Sequence, residues 1–154
     1  MKKTRIMALL CALALLLAGC GENKNGSMTA VPLAEKVKAA AADADSLVPV
    51  PAEDLYDIMG ISPEDYSEAV YLTSADGLSA REIIALRARD GAAAGRIADA
   101  LNAYLSRRMD ETRNYLPEEY RLLSQTKVER KNGTVVLIAG ADAAEETRKL
   151  LAGE

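Results

Sequence analysis

Within six residues, Tyr115-Leu-Pro-Glu-Glu-Tyr120, the chain places two tyrosines and two carboxylates. Tyr115, Glu119 and Tyr120 form a candidate partner surface, because tyrosine offers rigid contact area with a polar tip. The same stretch also reads as a helix break followed by an acidic first turn, which the helix dipole favours. Glu118 with Glu119, and Asp110 with Glu111, come nearest to a carboxylate pair for acid and base work. Adjacent side chains on a helix do not face each other, so neither pair makes a dyad. Asp43, Asp45, Glu53 and Asp54 are an acidic, proline-interrupted stretch that lacks the dense oxygen spacing and the glycine of a calcium loop, and they read as solvated helix ends. No catalytic residue, metal site or cofactor is assigned from these residues.

The rest of the inventory narrows the chemistry further. The chain has no histidine and two cysteines, Cys11 and Cys20, both at or before residue 20. Everything after Cys20 therefore has no thiol, disulfide or imidazole, which removes Ser-His-Asp and Cys-His nucleophiles and zinc sites built on Cys or His. An enzyme would have to work with carboxylates, Lys, Tyr or Ser. Formal net charge is −4; setting aside Lys2, Lys3 and Arg5 takes the basic count from 19 to 16 against 23 acidic residues, or −7. Such a chain is repelled by phosphate backbones, so nucleic acid is not an expected partner.

The one assignable reactive atom is the sulfur of Cys20. Residues 1–19 read as a signal peptide: a basic start, then an apolar stretch from Ile6 to Ala18 of 13 residues, then Gly19. That stretch is short of the ~20 residues that span a bilayer and within the ~7–15 of a signal-peptide core. Leu17-Ala18-Gly19-Cys20 resembles the bacterial lipobox, in which the cysteine sulfur takes a diacylglyceryl group and a peptidase cuts between Gly19 and Cys20. Small residues suit a narrow protease site, and only a thiolate makes the thioether readily. Two acyl chains hold stably where one binds marginally. The expected location is the outer face of the cytoplasmic membrane, with that covalent diacylglycerol as the only added group. Residues 20–30, the cysteine and GENKNGSMTA, read as a flexible tether with a reach of roughly 17 Å.

The elements that would carry any site begin near Val31-Pro32, which opens a single domain over 31–154. Pro32 suits a helix start, and Leu33, Val37 and Ala40 or Ala41 have helical spacing until Leu47-Val-Pro-Val-Pro51 ends the helix. Leu55, Ile58 and Met59 mark a short helix closed by Gly60, and Ser62-Pro-Glu-Asp65 has a capping-box pattern that starts another. Strands are expected over 68–73 and 81–87. Asp90 then caps a long helix from Ala92 to about Asn114, with Ile97, Leu101, Tyr104, Leu105 and Met109 on one stripe. Leu116-Pro117 breaks it. Asn132-Gly133 is a hairpin turn, because both positions tolerate positive φ. Thr134–Ala139 is apolar on both faces, as in a central strand, and Asp142 caps a last helix to about Ala152.

The order strand-strand-helix occurs twice, and an offset of 52 residues lays Asp142 on Asp90, Arg148 on Arg96 and Val135-Val136 on Ile83-Ile84. Duplication and chance both account for so few matches. The expected class is α+β, an antiparallel sheet of about four strands with helices on one face and a helical segment before it.

Taken together, AEDLYDIMGISPEDYSEAVYLTSADGLSAREIIALRARD, the long helix, NYLPEEYRLL and VERKNGTVVLIAGAD resemble a family of short lipoproteins of Gram-positive, Clostridia-like bacteria known as domain of unknown function 4358. The resemblance covers about residues 52–150, and its most specific parts are residues 79–84, 88–91, 115–118 and 131–133. It implies export and lipid anchoring, and carries over only Cys20 as a functional residue. Thr134 stands where an aromatic often follows the turn glycine. The expected function is a non-enzymatic binding module that holds an envelope protein or a small ligand. The alternatives are an envelope enzyme using carboxylate or Tyr chemistry and a small solute-binding lipoprotein. Two lobes around a cleft do not fit comfortably into the 135 residues after residue 19 of 154.

Overall fold

The computed structural model describes residues 31–152. Gly19, Cys20 and the tether lie outside the described residues. Five strands form one sheet: β1 (Val48–Pro49), β2 (Tyr66–Thr73), β3 (Glu82–Ala88), β4 (Val128–Lys131) and β5 (Thr134–Ala139), in the order β1-β2-β3-β5-β4. Every neighbouring pair is antiparallel. β3 and β5 sit at the centre, with Ile83 opposite Ile138 and Ala85 opposite Val136. Runs such as Ile83-Ile-Ala-Leu86 and Val135-Val-Leu-Ile138 have no polar alternation, so both of their faces must be covered.

Among the described residues, five α-helices provide the cover: α1 (Leu33–Ala40), α2 (Leu55–Met59), α3 (Gly91–Thr112), α4 (Pro117–Gln125) and α5 (Ala143–Leu151). Ile84, Leu86, Val135 and Leu137 pack with Leu55 and Met59 of α2, Ile97, Leu101 and Leu105 of α3 and Leu123 of α4. Ile83, Ala85, Val136 and Ile138 pack on the other face with Leu33 and Val37 of α1 and Leu150 and Leu151 of α5. The α+β class with an antiparallel sheet is as expected. The sheet has a fifth strand, and the helices lie on both faces rather than one, because the alternate residues of β3 and β5 give it two apolar sides.

This arrangement bears on the apparent repeat. From the first unit, β2-β3-α3, to the second, β4-β5-α5, the step between strands reverses, the second strand reverses, and the covering helix changes face. Three reversals change handedness, so no rotation superimposes the two units.

Local signals explain most boundaries. The Asp90 side chain accepts a hydrogen bond from the Ala93 N–H at 2.7 Å and starts α3. Pro117 occupies the first turn of α4. Asn132 (φ 46) and Gly133 (φ 87) turn β4 into β5, so the expected hairpin forms with both residues in the left-handed region. Two of the expected elements are corrected, and the expected side-chain cap by Asp142 does not form. Ser62–Asp65 forms a turn and not a helix: Pro63 to Asp65 lead directly into β2, which starts at Tyr66. Val48–Pro49, expected to be only a helix terminator, adds to the sheet opposite Thr73 and Leu72.

Candidate functional site

The three residues of the expected partner surface have different roles. Tyr115, at the turn between α3 and α4, is 84% exposed. Tyr120 is half-buried, with the Arg113 guanidinium over its ring at 5.7 Å. The Glu119 carboxylate accepts a hydrogen bond from the Ala80 N–H, tying α4 to the β2–β3 loop. Glu118 pairs with Arg121 and Asp110 with Arg113, so one carboxylate of each adjacent pair is held by a local arginine. Asp43, from the acidic stretch, pairs with Arg81.

A constellation that sequence reasoning missed lies inside the domain. Glu82 opens β3 on the same face as Ile84 and Leu86 and is fully buried. Its Oε2 accepts from the Tyr104 hydroxyl at 2.8 Å and the Tyr71 hydroxyl at 3.4 Å, and the two phenols are 3.0 Å apart. Arg108, one turn beyond Tyr104 on α3, reaches the Tyr104 hydroxyl at 3.4 Å. Oε1 of Glu82 has no partner. Burial raises the Glu82 pKa, against the opposing pull of Arg108 and the two phenols. Burial raises both tyrosines as well, and Glu82 pushes Tyr104 further up. This is the carboxylate and tyrosine chemistry an enzyme would need, but the carboxyl and the Tyr104 ring are sealed in the core, out of reach of a substrate. The signal was present: Glu82, Ile84 and Leu86 share strand parity, and parity places a carboxylate on a buried face.

A second polar cluster ties the segment after α1 and the helix α5 to the sheet. Arg81 donates to Glu146 of α5 with both Nη atoms at 2.8 Å, to the Ala139 carbonyl at 3.1 Å and to Asp43 just after α1. Hydrogen bonding to Arg81 lowers the Asp43 pKa. Gly140 makes room for this side chain, since a Cβ there would lie 2.8 Å from Arg81 Nη1. All of these atoms are committed to one another.

The uncommitted charges are elsewhere. Arg81, Arg87, Arg96, Arg113 and Arg121 are in ion pairs, and Arg107 and Arg108 donate to the Ile58 carbonyl and the Tyr104 hydroxyl. Among the described residues, Arg89, Arg130 and Arg148 have no ion pair or side-chain hydrogen bond, and all three line clefts beside β4. One cleft, of about 590 Å³, lies between the end of β3, the start of α3 and the β4–β5 turn, and takes in Arg89, Arg130 and Lys131 with the capping Asp90. The other, of about 370 Å³, lies on the α5 side, with Arg130, Lys131, Arg148 and Glu129. Both are wide open. The two clefts meet at the strand that ends the sheet.

The family model described as domain of unknown function (DUF4358) matches residues 40–140. The chain belongs to this family. The matched span of this DUF4358 protein holds the whole sheet, the Glu82 cluster, Arg81 and the larger basic cleft. Its α5, with Arg148 and Glu146, lies beyond the match, and its α1 overlaps it only at Ala40. No curated protein and no solved structure matches the chain. Among the described residues, no group of three or more carboxylates is placed to hold a metal ion. No described helix is long and apolar enough to cross a membrane.

Proposed function

We propose that this DUF4358 chain is a lipid-anchored lipoprotein, held at the outer face of the cytoplasmic membrane by a diacylglyceryl group on Cys20, and that its domain is a binding module of the cell envelope. Support for the anchor is the basic start, the 13-residue apolar stretch and Leu17-Ala-Gly-Cys20. Support for binding comes from one observation: the reactive carboxyl, Glu82, is sealed, while the unpaired cations line open clefts at the sheet edge. That is an arrangement for docking rather than for turnover. A solute-binding lipoprotein draws less support, because the described residues build one sheet with open clefts and no second lobe.

Two measurements test the reading in a Gram-positive host. With labelled fatty acid, the native chain takes up label and sediments with membranes, and Cys20→Ala loses both. Undiminished labelling of Cys20→Ala removes the anchor. Crosslinking from the anchored chain in cells should give a specific adduct; its absence across growth conditions removes the binding module.

A further inference from the structure

The edge strand indicates what kind of partner the module holds. Lys131 and Thr134 flank a two-residue turn, so they form the hydrogen-bonded pair that closes the hairpin. Alternation then directs the backbone groups of Lys131 and Glu129 into β5, and turns the N–H and C=O of Val128 and Arg130 outward. Among the described residues, no backbone hydrogen bond outside the ladder reaches residues 128–131, and Glu129, Arg130 and Lys131 are exposed. The edge is open.

Charge lies on both of its faces. The Arg130 side chain runs beside α3, with Nη1 3.8 Å from where a Cβ on Gly95 would be, and shares its cleft with Arg89. Lys131 points the other way and donates to the Leu151 carbonyl at the end of α5 at 3.2 Å, beside Arg148. Lys127, also without an ion pair, is exposed just before β4. Among the described residues, Glu129 and Asp90 line the clefts at this edge, with Asp90 occupied in capping α3, and Glu145, whose pKa Arg148 helps to lower, is paired with Lys149. A domain with an acidic balance thus gathers its unpaired arginines around one open strand.

We propose that β4 is a docking edge for an extended acidic segment of a partner protein, which adds antiparallel or parallel to β4 as a sixth strand and sends alternate side chains into the two basic clefts. A strand satisfies both halves of the geometry, since its backbone meets the outward groups of Val128 and Arg130 while its side chains alternate between faces. A small anion would use one cleft and leave the edge bare. A lipid surface cannot reach backbone groups between two clefts. Charged residues also guard edges against aggregation, and that role is the outcome the test must exclude. The proposal rests on the binding-module reading.

The probe is a fluorescein-labelled peptide, Glu-Asp-Glu-Val-Glu-Asp-Glu-Thr, titrated against the full chain in detergent and followed by fluorescence anisotropy and amide exchange. Binding should weaken with salt, and the Val128 and Arg130 amides should gain protection. The exposed double variant Arg130→Glu, Arg148→Glu should bind at least about tenfold more weakly, since it sets like charges against each other across the interface. A peptide of the same charge, N-methylated along its bonding edge, should not bind. Equal binding of the methylated peptide overturns strand addition. Binding to phosphatidylglycerol vesicles in place of peptide overturns the protein partner. No binding at low salt overturns docking and leaves the charges as edge guards. In cells, crosslinks that persist in the double variant remove this edge but keep the binding module, whereas absence of crosslinks from the native chain removes the module itself.

Discussion

Glu82 is the residue at which sequence and structure part most sharply. In the strand Glu82-Ile-Ile-Ala-Leu86 it passes for a polar flank, yet parity buries it between Tyr71 and Tyr104 with Oε1 unpartnered. Its tyrosine partners come from β2 and α3, 11 and 22 residues away, and no local pattern links them. Because burial raises its pKa in the folded state, the native fold holds the Glu82 proton more tightly than the unfolded chain does. Its contribution to stability is therefore present below the ordinary carboxylate range and is lost as pH rises through and above it. Glu82→Gln should be close to native in stability in acid and more stable at neutral pH, with a gap that widens as pH rises; urea unfolding over a pH series measures this, and a constant gap refutes it. Tyr104→Phe leaves Oε2 with only the 3.4 Å donor and should cost about 1–3 kcal/mol, the penalty of a buried group losing its partner. Thr134 buries a hydroxyl with no partner. Thr134→Val keeps the shape and removes the stranded group, so the unfolding midpoint should rise by the equivalent of about 1 kcal/mol.

At the scale of elements, the legible parts were those whose signals are local. Asp90 before a long apolar stripe, Asn132-Gly133 between two runs and the two-sided apolar strand 134–139 all became what their residues imply. Asp142 has the same appearance as Asp90 but makes no side-chain cap; α5 is held instead by Glu146 on Arg81 and by Leu150 and Leu151 on the sheet. Asp90→Ala should therefore cost about 0.5–2 kcal/mol, the range for losing a side-chain N-cap, while Asp142→Ala should change stability by much less. Thermal or chemical unfolding of the two variants side by side decides this, and equal losses would contradict it. What was not legible needs tertiary information. The two-residue strand β1 exists only because β2 offers it an edge, and the free arginines are recognised only once every other arginine has found its partner.

At the scale of the whole molecule, the two-faced sheet sets a limit on what can fold alone. The family match ends at residues 40 and 140, whereas among the described residues the face formed by Ile83, Ala85, Val136 and Ile138 is covered by α1 and α5, which occupy 33–40 and 143–151. A fragment of residues 40–140 keeps every strand and the α3 side of the core but exposes that central apolar face, together with the sheet-side end of the Arg81 cluster that has lost Glu146. Exposed apolar patches of this kind drive association. The fragment should elute as oligomers or aggregate, without a cooperative unfolding transition, while residues 31–152 should be monodisperse and unfold cooperatively. Gel filtration with chemical unfolding of both fragments measures the difference. A monomeric, cooperative 40–140 fragment would mean that the α3 side alone supports the sheet, and would leave α5, which lines the smaller cleft beside β4, with a role at the edge rather than in the core.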